Sequence, residues 1–142
     1  AAMALFAGAY VADTRLALLI PLAAMVLSDL FIGLHAAMVL VYVCMAITVC
    51  IGMQLRKRLH ALPIGIAALA SSVLFFAITN FGVWATQGMY PISLQGLIAC
   101  YVAAIPFFHN TLLGNAFYTV VLFGGFALIS HVAPRLRTAT RP

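Results

Sequence analysis

The sequence predicts an all-α fold, a polytopic bundle of membrane-spanning helices. Three observations predict it. Of 142 residues, 66% are hydrophobic and only 6% are charged, against about 25% charged in ordinary soluble domains. The mean hydropathy is +1.19. The apolar residues fall in long runs, and about 20 such residues at 1.5 Å each span the roughly 30 Å hydrocarbon layer. A transmembrane β-barrel would need alternating segments of about 10 residues, and none appear. One transmembrane domain over 1–142 follows, with no room for a soluble catalytic domain.

The elements are justified in order. Residues 1–12 are small and apolar, with Ala1, Ala2, Ala4, Ala7, Gly8 and Ala9. Small side chains let membrane helices approach closely. Asp13, Thr14 and Arg15 form a polar break. The run 16–34 is a span, with Pro21 one turn in and Asp29 near its far end. A second span, 34–53, follows with almost no loop, so a tight turn is expected near Gly33. Residues 54–60 form a basic interfacial loop. The span 62–84 opens on Pro63, a position early in a helix that suits proline. Residues 85–91 are a loop in which Met89, Tyr90 and Pro91 read as extended. The run 92–108 is short and is interrupted by Pro106. His109, Asn110 and Thr111 form a polar break, and 112–132 is the last span before a basic tail. The chain opens mid-pattern, without a signal peptide or initiator Met, which leads to the expectation that a first helix lies upstream.

All seven basic residues sit in connections or in the tail: Arg15, Arg56, Lys57, Arg58, Arg135, Arg137 and Arg141. There they anchor the protein on lipid phosphates. A nucleic-acid role would need a broad basic face with polar neighbours, so none is expected. The rule that Lys and Arg stay inside conflicts with this span count. Three crossings separate the 56–58 cluster from the tail, so either the Pro-broken segment is a half-span or one cluster lies outside.

Ionisable and polar groups at depth are the functional candidates, because each costs several kcal/mol unless paired or wet. Asp29 is one of two acids. It reads as an interfacial cap or as a partner for a basic group, and His35 lies across the turn. His109 is either a solvated loop residue or a ligand contact. Asn80 is a helix–helix hydrogen bonder or a site residue. Trp84, Tyr90 and Tyr101 are belt aromatics or stacking surfaces for a flat ligand. Tyr90, Phe107, Phe108 and Asn110 are expected to line one mouth, since irregular backbone at membrane depth is tolerated where it lines a cavity.

Three cysteines, Cys44, Cys50 and Cys100, lie in apolar runs, with no CxxC pair and no zinc spacing. On a helix Ala37, Val41, Cys44 and Thr48 share a face, and Cys50 points about 120° away. Cys44 is either an inert buried thiol or a soft metal ligand.

The segments LLIPLAAMVLSDLFIGLH, FAITNFGVW and MYPISLQGLIACYVAAIPFFHNTLLGNAFYTVVLFG give the chain its resemblance. Over nearly its whole length it resembles the S-component-like membrane proteins of energy-coupling-factor (ECF) transporters, and most closely the solitary vitamin B12 (cobalamin) transporter subgroup. The resemblance implies six transmembrane helices in a bacterial inner membrane, here with the first helix missing or truncated. It implies a vitamin or metal cargo bound near the outer mouth, and transport through a shared ECF ATPase module or without one. It also implies a membrane cysteine as axial cobalt ligand, matched here by Cys44. A second, histidine ligand from the N-terminal region is implied too, and this chain lacks it. Together with the polar and aromatic candidates above, the expected cofactor-binding set is Cys44, Asp29, His35, Asn80, Trp84, Tyr90, Phe107, His109 and Asn110, of which the resemblance contributes Cys44, on the metal.

The function expected is uptake of cobalamin. Uptake of another vitamin or precursor is the alternative within the same fold, and a non-transporting accessory subunit of a larger membrane complex is the alternative from another class. A haem protein with His35 and His109 as axial pair ranks low, because both lie near polar breaks rather than on facing spans. No nucleotide-binding loop, catalytic triad or acid pair appears. Enzymatic chemistry would be confined to ligand exchange at cobalt, such as removal of cyanide.

Overall fold

The computed structural model describes residues 1–33 and 38–132, and every regular element among them is helical. Four stretches are long and apolar enough to cross a membrane: Thr14–Ile32, Met38–Lys57, Ala61–Thr86 and Leu94–Val132. These are the marks of a multi-pass membrane protein.

Helix α1 (Ala2–Tyr10) is short, yet most of it is buried. Its small residues explain why. Gly8 and Gly52 bring α1 and α3 (Met38–Gln54) into backbone contact. A Cβ on Gly8 would collide with Val49 O and stand 2.9 Å from Met53 N. A Cβ on Gly52 would collide with Leu5 O and stand 3.1 Å from Gly8 Cα. Arg56 closes the lower end of α1. Its Nε donates to Gly8 O at 3.0 Å and its Nη2 to Val11 O at 2.7 Å. A cation on the last carbonyls of a helix satisfies orphan acceptors and suits the dipole. Arg56 is therefore a cap as well as a surface charge.

Helix α2 (Thr14–Ile32) starts where Asp13 accepts a hydrogen bond from the Arg15 backbone N–H at 2.8 Å. It keeps Pro21 inside and ends on Gly33, which caps it with a φ of 107°, while the rest of the expected tight turn lies outside the described residues. Residues 34–37, with His35 and Ala37, lie outside the described residues. After α3, a 3-10 turn (Leu55–Lys57) leads towards α4 (Ala61–Thr86). Ser71, Ser72 and Thr79 of α4 each return a hydroxyl to the carbonyl four residues back, at 2.7 to 3.0 Å. Ser93 then caps α5 (Leu94–Thr119), accepting from Gly96 N at 3.2 Å.

The break expected at 106–111 does not exist. Helix α5 runs straight through Pro106, His109, Asn110 and Thr111. It continues through a π-helical turn (Val120–Gly124) into α6 (Gly125–Val132). In a bilayer no water competes for backbone groups, so a helix closes around a proline that water would help to open. The spans 92–108 and 112–132 are thus one 39-residue helix, Leu94–Val132.

The core follows from this layout. One cluster joins Leu5 and Ala9 of α1 to Leu55, Ala67, Ala68 and Phe123, with Phe6 and Tyr10 packed against it. The other joins Ala4, Ala17, Met45 and Val49.

Candidate functional site

Two cavities open along the crevice between α4 and α5. The larger, about 480 Å³, is bounded by the start of α1, by Ser72 and Phe75 of α4, and by Asn110, Thr111, Gly114, Asn115 and Tyr118 of α5. The smaller, about 250 Å³, lies between Phe75, Phe76, Thr79 and Asn80 on one side and Ala104, Phe107, Phe108 and Thr111 on the other. Phe75 and Thr111 belong to both, so the two cavities adjoin.

Continuous helix places these residues. Asn110 and Gly114 lie one turn apart on α5, as do Thr111 and Asn115, opposite Ser72 and Phe75 one turn apart on α4. The polar centre is Asn115. Its Nδ2 donates to Ala68 O at 2.9 Å and to Ser72 Oγ at 2.7 Å. A backbone carbonyl only accepts, so the amide nitrogen must face it, and the oxygen must face the other way. That Oδ1 is buried and has no hydrogen-bond partner among the described residues. Thr119 Oγ1, one turn along α5, is in the same state. Leaving such an acceptor buried and unmet costs about 1–3 kcal/mol.

Three of the candidate residues read from the sequence meet at the crevice. Asn80 and Phe107 line the smaller cavity, and Asn110 the larger. Phe108 joins them, packed against Phe76 at a ring separation of 4.7 Å. Asn80 spends its Nδ2 on Phe76 O at 2.7 Å. Tyr90 lines neither cavity, which corrects the expected common mouth. The reason is length: from Leu94 to Asn110 the helix runs about 24 Å. Trp84 is occupied elsewhere, its Nε1 donating to Pro91 O at 3.0 Å and stapling the α4–α5 connection. Tyr101 donates to Ala77 O at 2.6 Å, a plain helix–helix bond. His109 is exposed on α5 rather than in a break, with Nδ1 3.2 Å from Ile105 O.

Asp29 is buried and takes a hydrogen bond from Tyr42 Oη at 2.6 Å. Its partner is a phenol on α3, and the pair lines neither cavity.

Cys44 is fully buried on the face that also buries Thr48, while Cys50 is exposed, in keeping with their expected divergence. Thr48 Oγ1 donates to Cys44 O at 2.8 Å. Cys44 lines neither of the two cavities. Cys100 lies 3.5 Å from Asn80 O through its thiol. Among the described residues no three His, Cys, Asp or Glu side chains gather to hold a metal.

Sequence reasoning missed Asn115, Ser72, Tyr118 and Tyr42. The rule that singled out Asn80, a neutral amide inside an apolar run, applies equally to Asn115 in LLGNAF. Nothing local distinguishes Ser72 or Tyr42.

Residues 1–136 match the model of the family of unknown function DUF6580, and the chain belongs to that family. No curated protein and no solved structure shows a significant match.

Proposed function

We propose that this family member is a membrane-embedded binding protein for uptake of a small vitamin-like molecule, with the α4–α5 crevice as its site. The observation that carries this reading is the adjoining pair of cavities, the larger of about 480 Å³. Ligand pockets fall at about 300–1,000 Å³, with mostly apolar walls and a few convergent polar groups. Phe75, Phe76 and Phe108 supply the walls, and Asn110, Asn115 and Asn80 the polar groups. The six-span S-component architecture and a bacterial inner-membrane location belong to the same reading and rest on the sequence resemblance.

Cobalamin is the cargo that the resemblance implies, and it stays within the proposal as the first molecule to test. In the crevice a corrin would meet amide and hydroxyl groups. Cobalt would reach Cys44 only if α3 left its present packing. The test is purification from cells grown with cyanocobalamin, followed by a visible spectrum and by thermal unfolding with a panel of vitamins. The true cargo at 100 times its Kd stabilises by about 2.7 kcal/mol. A bound chromophore whose spectrum changes in Cys44→Ala supports cobalt ligation by sulfur. A colourless protein that another vitamin stabilises keeps uptake and replaces the cargo. A protein that no member of the panel stabilises overturns the reading.

A second reading, an accessory subunit, draws on His109. This side chain is exposed partway along a helix, beside residues that pack mid-way along α4. A polar group at such depth is suited to a neighbouring membrane chain. Stoichiometric co-purification of a second membrane protein would favour it.

A further inference from the structure

We propose that the exposed face of α5 pairs with the same face of a second copy of the chain, and that His109 of each copy accepts a hydrogen bond from Asn110 of the other. This goes beyond the uptake reading and does not depend on it.

Depth is the first argument. Helix α4 has 26 residues, about 39 Å, and its middle falls at Val73 and Leu74. Asn110 shares a cavity wall with Ser72 and Phe75, which bracket that middle. Asn110 and its neighbour His109 therefore lie near the centre of the bilayer, and both are exposed. Exposed residues around the middle of the other spans suit lipid: Ile20 and Val26 on α2, Val43 and Ile47 on α3, Leu69 and Val73 on α4. Lipid tails offer nothing to an imidazole or an amide, and polar side chains at this depth join helices to one another.

The two groups complement each other. His109 Nδ1 stands 3.2 Å from Ile105 O. A carbonyl only accepts, so Nδ1 carries the proton, and in the neutral ring Nε2 is left as an acceptor. The Nε2 of a second His109 is an acceptor too and cannot serve it. Asn110 Nδ2 can, since that side chain makes no hydrogen bond among the described residues. Within one chain the pair cannot meet, because successive residues of a helix point about 100° apart.

The spacing fits a two-fold pair. Val102, Pro106, His109, Leu113, Ala116 and Val120 are all exposed and recur in alternate steps of four and three, the seam of two parallel helices. Copies inserted in the same orientation present parallel α5 helices. With Pro106 and Leu113 as a positions, His109 is a d knob, and the hole it enters is partly built by the e residue of the other helix, which is Asn110. The two-fold axis makes the bond twice. The seam stops at Val120, where the π-helical turn changes the phase of the helix.

The test uses the whole chain in lipid vesicles, with Cys44, Cys50 and Cys100 changed to alanine. On oxidation with iodine, Leu113→Cys and Ala116→Cys should each give a disulfide-linked dimer. Leu19→Cys, exposed on α2, should not. Förster transfer between labelled copies then measures the dimer constant. His109→Leu should weaken dimerisation about eightfold, as two bonds of average strength for membrane helices are lost. Asn110→Leu should do the same, and the double variant should lose no more than either alone, because all three remove the same two bonds. His109→Gln returns an acceptor and should restore most of the affinity. A chain that stays monomeric as more protein is loaded into the vesicles overturns the proposal. So do cross-links at position 19 as strong as those at 113 and 116, or losses that add in the double variant. Cross-linking of position 113 in native membranes to a different protein alone also overturns it, and favours the accessory-subunit reading.

Discussion

Asp29 is 4% exposed, and the one hydrogen bond to its carboxylate among the described residues comes from Tyr42 at 2.6 Å. Interhelical bonds between neutral groups in membranes average about 0.6 kcal/mol, because the unfolded chain in the bilayer also finds partners. A carboxyl acceptor shut from water changes that balance. Tyr42→Phe keeps the ring and removes only the donor, so the acid is left buried and unmet. The expected loss is about 1–3 kcal/mol in the unfolding free energy, measured with denaturant in detergent micelles. With Asp29 already replaced by Leu, the same Tyr42→Phe change should cost almost nothing. Equal losses in both backgrounds would show that the bond contributes no stability. The acid was legible from the sequence, because ionisable groups inside apolar runs are rare. Its partner was not, since a tyrosine thirteen positions away across a turn carries no local mark. Asn115 was hidden for the opposite reason. It looks like any interhelical amide until the structure shows which of its two polar atoms is spent.

Gly8 and Gly52 set the distance between α1 and α3, and both meet backbone, which cannot rotate aside. Gly52→Ala therefore forces the helices apart and disturbs the Arg56 bonds to Gly8 O and Val11 O along with them. Overpacking of this kind costs about 1–3 kcal/mol. Gly65→Ala is the control, on an exposed helix face with nothing within 4 Å of its Cβ. It should stabilise α4 by about 0.5–1 kcal/mol through backbone entropy. Thermal unfolding of the two variants beside the parent checks the sign of each change. If Gly52→Ala unfolds no earlier than the parent, the close approach of α1 and α3 is wrong. The small-residue opening did announce tight helix packing, although not which helix it packs on. The membrane-length runs ending near residues 32, 54 and 86 were legible to within a few positions, from hydropathy and turn residues alone. The long α5–α6 helix was not. Pro106 and the His109–Asn110–Thr111 triad are breaking signals in water, and the fold overrides them because a bilayer offers the backbone no other partner.

That override also removes the conflict over orientation. With Leu94–Val132 as one helix, two crossings instead of three separate the Arg56–Arg58 cluster from the chain that follows Val132. Arg56 reaches the α1–α2 corner, so Arg15 and the 56–58 cluster share one end of the bundle. Antiparallel packing returns α6 to that end. Asn115 sits level with Ser72, and the helix runs about 26 Å from there to Val132, past the start of α4. The Lys and Arg residues among those described, Arg15, Arg56, Lys57 and Arg58, then fall on one side, the side that the positive-inside rule assigns to the cytoplasm. Single cysteines in a background with Cys44, Cys50 and Cys100 changed to alanine test this with an impermeant maleimide. Gln87→Cys should label in intact cells, whereas Leu59→Cys should label only after the membrane is opened. A reporter fused after Pro142 should be cytoplasmic together with position 59. If α5 were broken at Pro106 into two full crossings, the reporter and position 59 would lie on opposite faces. That outcome would divide the long helix, separate Asn110 from the level of Ser72, and dissolve the crevice on which the binding site depends.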